Sequence, residues 1–379
     1  MIRTLCFLSL VAAMTLQQTS MPAPLPVTVV NPTAVDRPAE TITLSSAALK
    51  QQLPFTDLRT VHVYSGTTDL LTQAIDNDDD GSLDELVFQV DLGAKETKRL
   101  TVGLGERRIP RKEDFRAYGR FNRERRDDFA WENDRVAYRM YGAALETWKQ
   151  EPLTSSAVDV WVKSTPRLII NDWYMIDDYH RNTGEGADLY SAGKTRGCGG
   201  SGLWRDGRLY TSPNFRNTRA LAQGPIRVVF ELMYEAWDAG GAKVSEVKRV
   251  TLDAGRHFSR FDLAFTPAPP PGTVLATGIR NNAGSASRAS TEASTLRTWE
   301  PLKENGSLGC AVIVPGMAEV READGNYLAL GPAAGAVMTY YAGSAWDRGG
   351  QVKSVDDWDT LIAREAARVG TPVTLTIGK

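Results

Sequence analysis

Three long stretches alternate apolar and polar residues: Ile226 to Tyr234, Val244 to Leu252 and His257 to Phe265. Successive side chains on a strand point to opposite faces, so a period of two buries one face and wets the other. Strands of that length need partner strands and a second layer to cover their apolar side. Shorter candidates surround them at Arg135–Met140, Val158–Val162, Ala311–Val314 and Val373–Ile377. Helical periodicity is convincing only from Val355 to Arg368, where Trp358, Leu361, Ile362 and Ala366 share a face. The expectation is an all-β protein of stacked sheets.

The pattern divides the chain. Val27–Val30, Glu40–Leu44, Val61–Tyr64, Glu85–Val90 and Lys98–Val102 are short, β-branched and bounded by turn residues. They predict a small N-terminal β-sandwich over residues 24–104. Residues 105–127 are rich in arginine, from Arg107 to Arg126, with acidic residues interleaved. They are expected to form a linker or surface segment. The formal net charge of the whole chain is -2, which gives no electrostatic footprint for nucleic acid. Residues 128–379 then form a larger domain.

The amino terminus addresses the compartment. Arg3 precedes an apolar run from Leu5 to Leu16, and Gln17 to Ser20 close it. This is the pattern of a secretory signal, placed at residues 1–23. The run falls short of the ~20 apolar residues that span a bilayer. A periplasmic or secreted protein without a membrane span in its mature chain is expected. Cys198 and Cys310 lie beyond the signal; an oxidising compartment would permit a disulfide, but spacing alone does not establish one.

Three stretches carry candidate chemistry. Asp76, Asp78 and Asp80 alternate before Gly81, with Asp84 and Glu85 following. Ca2+ takes six to eight oxygens, and this spacing can curl carboxylates onto one point. The twelfth position, where a helix-flanked Ca2+ loop carries Glu, is Val87, so a hairpin Ca2+ loop with Asp84 or Glu85 closing the shell is the sharper reading. A solvated acidic turn is the plainer one. Next, Trp131, Glu132, Asn133 and Arg135 crowd polar and aromatic groups at the entrance of a strand. Such a cluster is either an ion-paired network or a ligand site.

The densest stretch runs from Asn171 to Asn214. His180 is one of only three histidines, and it alone is set among carboxylates and glycines. Histidine titrates near neutrality and suits acid or base work. Glu185 or Asp188 is expected to orient it, and Arg196 or Lys194 to neutralise a carboxylate of the substrate. Tyr179 and Tyr190 are candidate acids. Trp131, Trp173 and Trp204 offer platforms for a sugar ring, within a supply of nine Trp, twelve Tyr and eleven Phe. There is no G-x-S-x-G elbow, H-E-x-x-H, Walker loop or Rossmann fingerprint, so no organic cofactor is expected.

The segments DDFAWENDRVAYRMYG, YHRNTGEGADLY, TRGCGGSGLW and GPIRVVFELMY resemble domain-of-unknown-function family 4861. The resemblance covers nearly all of the mature chain. It implies a bacterial protein encoded near pectin- and uronate-degrading enzymes, and an oligo- or polysaccharide as partner. It also implies a galactose-mutarotase-like β-supersandwich for the larger domain. It transfers no catalytic residues.

The expected function is therefore that of an exported carbohydrate-active protein, with β-elimination on a uronate-containing glycan foremost. His180 would be the base, Tyr179 or Tyr190 the acid, and Arg196 or Arg135 the carboxylate neutraliser. A mutarotase or isomerase would use His180 and Glu185. A hydrolase would use two carboxylates such as Glu132 and Glu185. A non-catalytic glycan binder would need only the aromatic platforms.

Overall fold

The computed structural model describes residues 23–149, 153–154, 156–176, 178–333 and 335–378. The segment 1–22, which carries the signal reading, and Asp177 lie outside the described residues. The protein is built almost entirely from antiparallel sheets, in agreement with the expected fold class.

The largest sheet has eight strands, and the three long alternating stretches form adjacent members of it at Arg227–Asp238, Lys243–Asp253 and Phe258–Thr266. Their inward residues, among them Phe230, Leu232, Val250, Leu252, Phe261 and Leu263, are buried in one core. Two five-stranded sheets supply the opposite layer of that core. One contributes Phe129, Trp131, Tyr138 and Val160; the other contributes Leu203, Leu275 and Ala329. Together these sheets form a large sandwich.

The N-terminal region folds as a second, smaller sandwich. A five-stranded sheet faces a three-stranded one, with Val29, Ile42, Leu44, Val63, Phe88 and Val102 between them. The chain's last strand, Thr374–Ile377, returns to pair with Leu25–Val30 in this sandwich. Sequence order had placed that strand with the larger domain. Pairing is decided by which edge lies open, and the edge beside Leu25–Val30 is distant in sequence.

The segment 105–127, expected as a linker or surface, departs from that reading at its end. Ala117–Asn122 is a strand that pairs along the whole of Asp128–Asn133, with Ala117 buried. Its alternation is masked because Arg116 and Arg120 occupy the polar phase, Arg116 donating to Gln89 at 3.0 Å.

The three-stranded sheet is apolar on both faces. Phe88 faces the small sandwich, whereas Ile75 and Val87 pack on Ile226 and Val229 of the large one. Gln73 seals the junction: it donates to Arg227 O and accepts from Ile226 N and Arg227 N, all at 2.8–2.9 Å.

Val355–Gly370 is the helix that the periodicity predicted. Ser354 caps it by accepting from Asp357 N. Trp358 and Ile362 dock on the outer face of the large sheet against Phe258, Ala311 and Ile313. Gly309 makes that close approach possible, because a Cβ there would lie 2.5 Å from Trp358 Nε1. Gly309→Ala is expected to lower stability by about 1–3 kcal/mol through overpacking, read by chemical denaturation. Cys198 and Cys310 are both buried thiols.

Candidate functional site

The site grows from one face of the five-stranded sheet that contains Asp128–Asn133, Ala137–Tyr141 and Asp159–Lys163. Phe129, Trp131, Tyr138, Val160 and Val162 point into the main core. The opposite phase carries Asp128, Glu132, Arg139, Asp159 and Lys163, all of them buried. The segment 164–190 covers this face. Ile170, Trp173, Tyr174 and Tyr179 of that segment pack on Ala130, Ala137 and Trp161.

Two charged clusters lie beneath the cover. In the first, Lys163 Nζ donates to Glu132 at 2.8 Å and to the carbonyls of Asn133 and Arg167. The other Glu132 oxygen accepts from Ile169 N and Ile170 N. Burial pushes the Glu132 carboxyl up, and Lys163 opposes that. This pair anchors the covering segment and meets no solvent. Gly186 anchors the other end. Its φ is 121°, and a Cβ there would lie 2.0 Å from Val162 O, so only glycine permits its pairing with Lys163.

The second cluster is centred on Arg139. Its Nε donates to Asp159 at 2.8 Å, its Nη2 to Asp188 at 2.7 Å and its Nη1 to Asp128 at 3.3 Å. Tyr141 donates to Asp159 at 2.7 Å and Tyr174 to Asp128 at 3.1 Å. Three carboxylates therefore share one guanidinium in a buried space. Burial lowers the Arg139 pKa, but the surrounding carboxylates more than offset this and hold the group charged. The charge of Arg125 also acts on Asp128 and Asp188, but burial outweighs both cations. Burial accordingly pushes Asp128 up to about 7, and raises Asp188 well above the usual carboxylate range. Among the described residues, Asp128 Oδ1 and Asp188 Oδ1 have no hydrogen-bond partner.

A carboxyl raised from 3.8 to about 7 takes up a proton in the folded state first. Its stabilising proton is fully bound below the unfolded value and is lost as pH rises through about 7. Stability is thus expected to fall between about pH 4 and 7, by up to about 1.4 kcal/mol per pH unit from this group, and to level off above that. Asp128→Asn mimics the protonated form and should flatten that part of the slope, read by denaturant titration at each pH.

His180 closes the cluster at the solvent edge. Its side chain is 54% exposed, and its Nδ1 lies 3.3 Å from Asp188 Oδ2 and 3.1 Å from Asp188 O. A carbonyl oxygen can only accept, so Nδ1 carries the proton and Nε2 of the neutral ring holds the lone pair. Tyr179 lies against the His180 ring at 4.6 Å, with its hydroxyl 3.3 Å from Arg139 Nη1. Burial raises the Tyr179 pKa and keeps the hydroxyl protonated. The Arg125 guanidinium stands over the same tyrosine ring at 5.5 Å.

Of the expected residues, the structure brings together His180, Tyr179 and Asp188. It does not bring Glu185 to the histidine. Glu185 forms a surface ion pair with Arg167 at 2.6 Å. Arg196 is buried elsewhere, beside Gly278, with Nη1 3.4 Å from Ser201 O. The left-handed turn at Gly197 carries the chain into the second five-stranded sheet and takes Arg196 away from His180. Trp131 is no sugar platform: it is fully buried against Phe230 and donates to Ser259. Asn133 holds the carbonyls of Asp253 and Arg256. Tyr190 is buried beneath Arg280, and Lys194 is exposed in a turn. Trp173 stacks on Trp161, and Trp204 is half-buried against a small apolar cluster. Arg135 lies in a different cleft.

Asp76, Asp78 and Asp84 each place a carboxylate oxygen within 4.8 Å of the others. Asp80 is outside that group; its carboxylate accepts from Ser82 N at 2.7 Å. The three oxygens are close enough for one ion to be shared at the 2.3–2.6 Å distances Ca2+ takes.

The residues missed in the sequence are Asp128, Arg139 and Asp159. Their signal was present: each is a charge that alternates with large apolar residues, Phe129 and Trp131, Tyr138 and Met140, or Val160 and Val162. A half-exposed sheet gives the same pattern, so only the covering segment distinguishes the two.

An all-β sandwich with a histidine held by an acidic cluster on one sheet face is the class that fold and site define. The chain belongs to the Domain of unknown function (DUF4861) family, whose model matches residues 29–375. It is 30% identical over 371 residues to Uncharacterized protein P7 of Formosa agariphila, with 93% of each chain covered. Its fold resembles a protein in the Glycosyl Hydrolase Family 38 from Enterococcus faecalis, with a TM-score of 0.52, 8% identity, and 94% of this chain and 47% of that chain covered. An α-mannosidase from Enterococcus faecalis V583 aligns with a TM-score of 0.51 and 9% identity, covering 94% of this chain and 46% of that one. The chain thus spans about half the length of these solved structures, and the likeness is one of fold.

Proposed function

We propose that this protein is an exported carbohydrate-active enzyme that cleaves uronate-containing glycan fragments by β-elimination. One observation carries the reading: His180 is pinned through Nδ1 by Asp188 and turns a basic Nε2 away from a buried acidic cluster. Among the described residues Nε2 has no hydrogen-bond partner, and the ring is half-exposed. In the step proposed, His180 Nε2 takes the C5 proton of the uronate. The C–H electrons form the C4–C5 double bond, and the C4–O bond breaks. Tyr179, kept protonated, returns a proton to the departing oxygen. Arg125, beside Tyr179, is the cation placed to face the substrate carboxylate. The fold shared with the Glycosyl Hydrolase Family 38 protein and the α-mannosidase supports the setting.

The test is incubation with pectic, ulvan-type and alginate oligosaccharides. The ultraviolet band of an unsaturated uronate is the expected product signal. New reducing ends without that band would replace elimination by hydrolysis. Saturable binding without product would make the protein a glycan binder.

Export and calcium complete the proposal. The mature chain isolated from a periplasmic or secreted fraction should begin near residue 24, as read by intact mass. Ca2+ at the Asp76 loop, at one hundred times its Kd, should add about 2.7 kcal/mol of stability. Chelation should reverse the gain, and Asp76→Asn should abolish it.

A further inference from the structure

The helix Val355–Gly370 presents two faces. Trp358 and Ile362 dock on the large sheet, whereas Asp357, Thr360, Leu361, Arg364 and Arg368 follow the three- and four-residue spacing of a second stripe. That stripe forms one wall of a cleft of about 400 Å³. The turn at Asp134 and Arg135 forms another, and Pro38 and Ala39 of the small sandwich close it. The volume is that of a small-molecule site.

The charges in this cleft are unevenly satisfied. Every carboxylate already has work. Glu365 pairs with Arg256 and Arg368, Asp357 accepts from Lys353 N and Ser354 Oγ faces its amide, and Asp134 accepts from Gly255 N. The guanidiniums are in a different position. Arg116 meets only the neutral amide of Gln89. Arg364 has no ion pair or hydrogen bond from its side chain among the described residues, and Arg135 Nε is buried without a partner. Arg116, Arg135 and Arg364 thus line a cleft whose three carboxylates already accept hydrogen bonds or ion pairs.

The cleft floor is polar and fixed. His257 lies there with Nδ1 donating to Ser344 O at 2.9 Å and Nε2 at 2.9 Å from the side-chain amide of Gln351, whose NH2 group can donate to the lone pair of a neutral ring. Burial lowers its pKa, and Arg135 adds to that, so the ring stays neutral beside the arginine. A narrow extension leads inward past His257 to Trp161 and Trp346. Leu361 and Val352 add apolar surface to the wall. Guanidinium forks, an apolar wall and a neutral polar floor suit a ring that carries an anionic group.

We propose that this cleft is a second binding site, taking an anionic saccharide by its carboxylate or sulfate ester through Arg135 and Arg364. It lies on different residues from the His180 site and stands whether or not that site is catalytic.

Isothermal titration of the full chain with D-glucuronate, D-glucose 6-sulfate, D-glucose and inorganic sulfate tests this. Saturable binding of either charged sugar, with D-glucose silent, is expected. A preference between the two charged sugars identifies the anionic group. Arg364→Gln, on an exposed helix position, and Arg135→Gln should each weaken binding about tenfold or more. His180→Ala should leave it unchanged. Equal binding of D-glucose, sulfate binding as tightly as the sugars, absence of binding, or indifference to both arginine variants would overturn the proposal. Loss of binding in His180→Ala alone would move the ligand to the other site and overturn it as well.

Discussion

Replacing Arg139 with Met is expected to cost about 3–5 kcal/mol, the penalty for leaving buried charge without its partner. Arg139 is 3% exposed and donates to Asp128, Asp159 and Asp188 together. Its removal leaves Asp128 with the Tyr174 hydroxyl, Asp159 with the Tyr141 hydroxyl and Val160 N, and Asp188 with His180 Nδ1 at 3.3 Å. Asp128 and Asp188 would have to protonate further, so the variant should lose most stability at alkaline pH and recover part of it under mild acid. Arg139→Lys should recover little. An ammonium has no planar fork, and the three contacts here use three different nitrogens of one guanidinium. Equilibrium denaturation across pH measures both effects. A variant as stable as the wild type would show that the carboxylates are already neutral.

His180→Ala is expected to lower kcat by about 10²–10⁴-fold on whichever uronate oligosaccharide the wild type cleaves. Stability should change little, because the ring is half-exposed and its contacts are confined to Asp188 and Tyr179. Asp188→Asn separates two roles. It keeps the backbone carbonyl that accepts from Nδ1, but removes the carboxylate that stabilises a protonated imidazole. A fall in kcat with KM preserved fits that role. A wild-type rate in His180→Ala would remove the histidine from the chemistry while leaving the fold and the anionic cluster intact.

His180, Tyr179 and Asp188 were legible because they are near neighbours in sequence within a segment dense in Gly and charge. Their partner Arg139 was not. It sits in a strand that reads, residue by residue, like any half-buried strand. Glu132 and Asn133 drew attention as polar residues next to Trp131. They serve structure, because a buried carboxylate that caps two backbone amides and meets a lysine is fully occupied. Arg196 was placed with His180 on closeness in sequence, and Gly197 undoes that closeness by turning the chain.

What the sequence by itself determined is the set of local periods. The alternation from Ile226 to Phe265 demands a large covered sheet, and the helical stripe from Val355 demands a docked helix. Both follow from side-chain direction, a property of each residue and its near neighbours. Only the tertiary structure decided which faces are covered twice. Residues 164–190 fold over Asp128, Arg139 and Asp159 and turn a polar sheet face into a buried acidic cluster. The energy of a charge depends on what lies above it, and that is set here by residues 40 to 49 positions away in the chain.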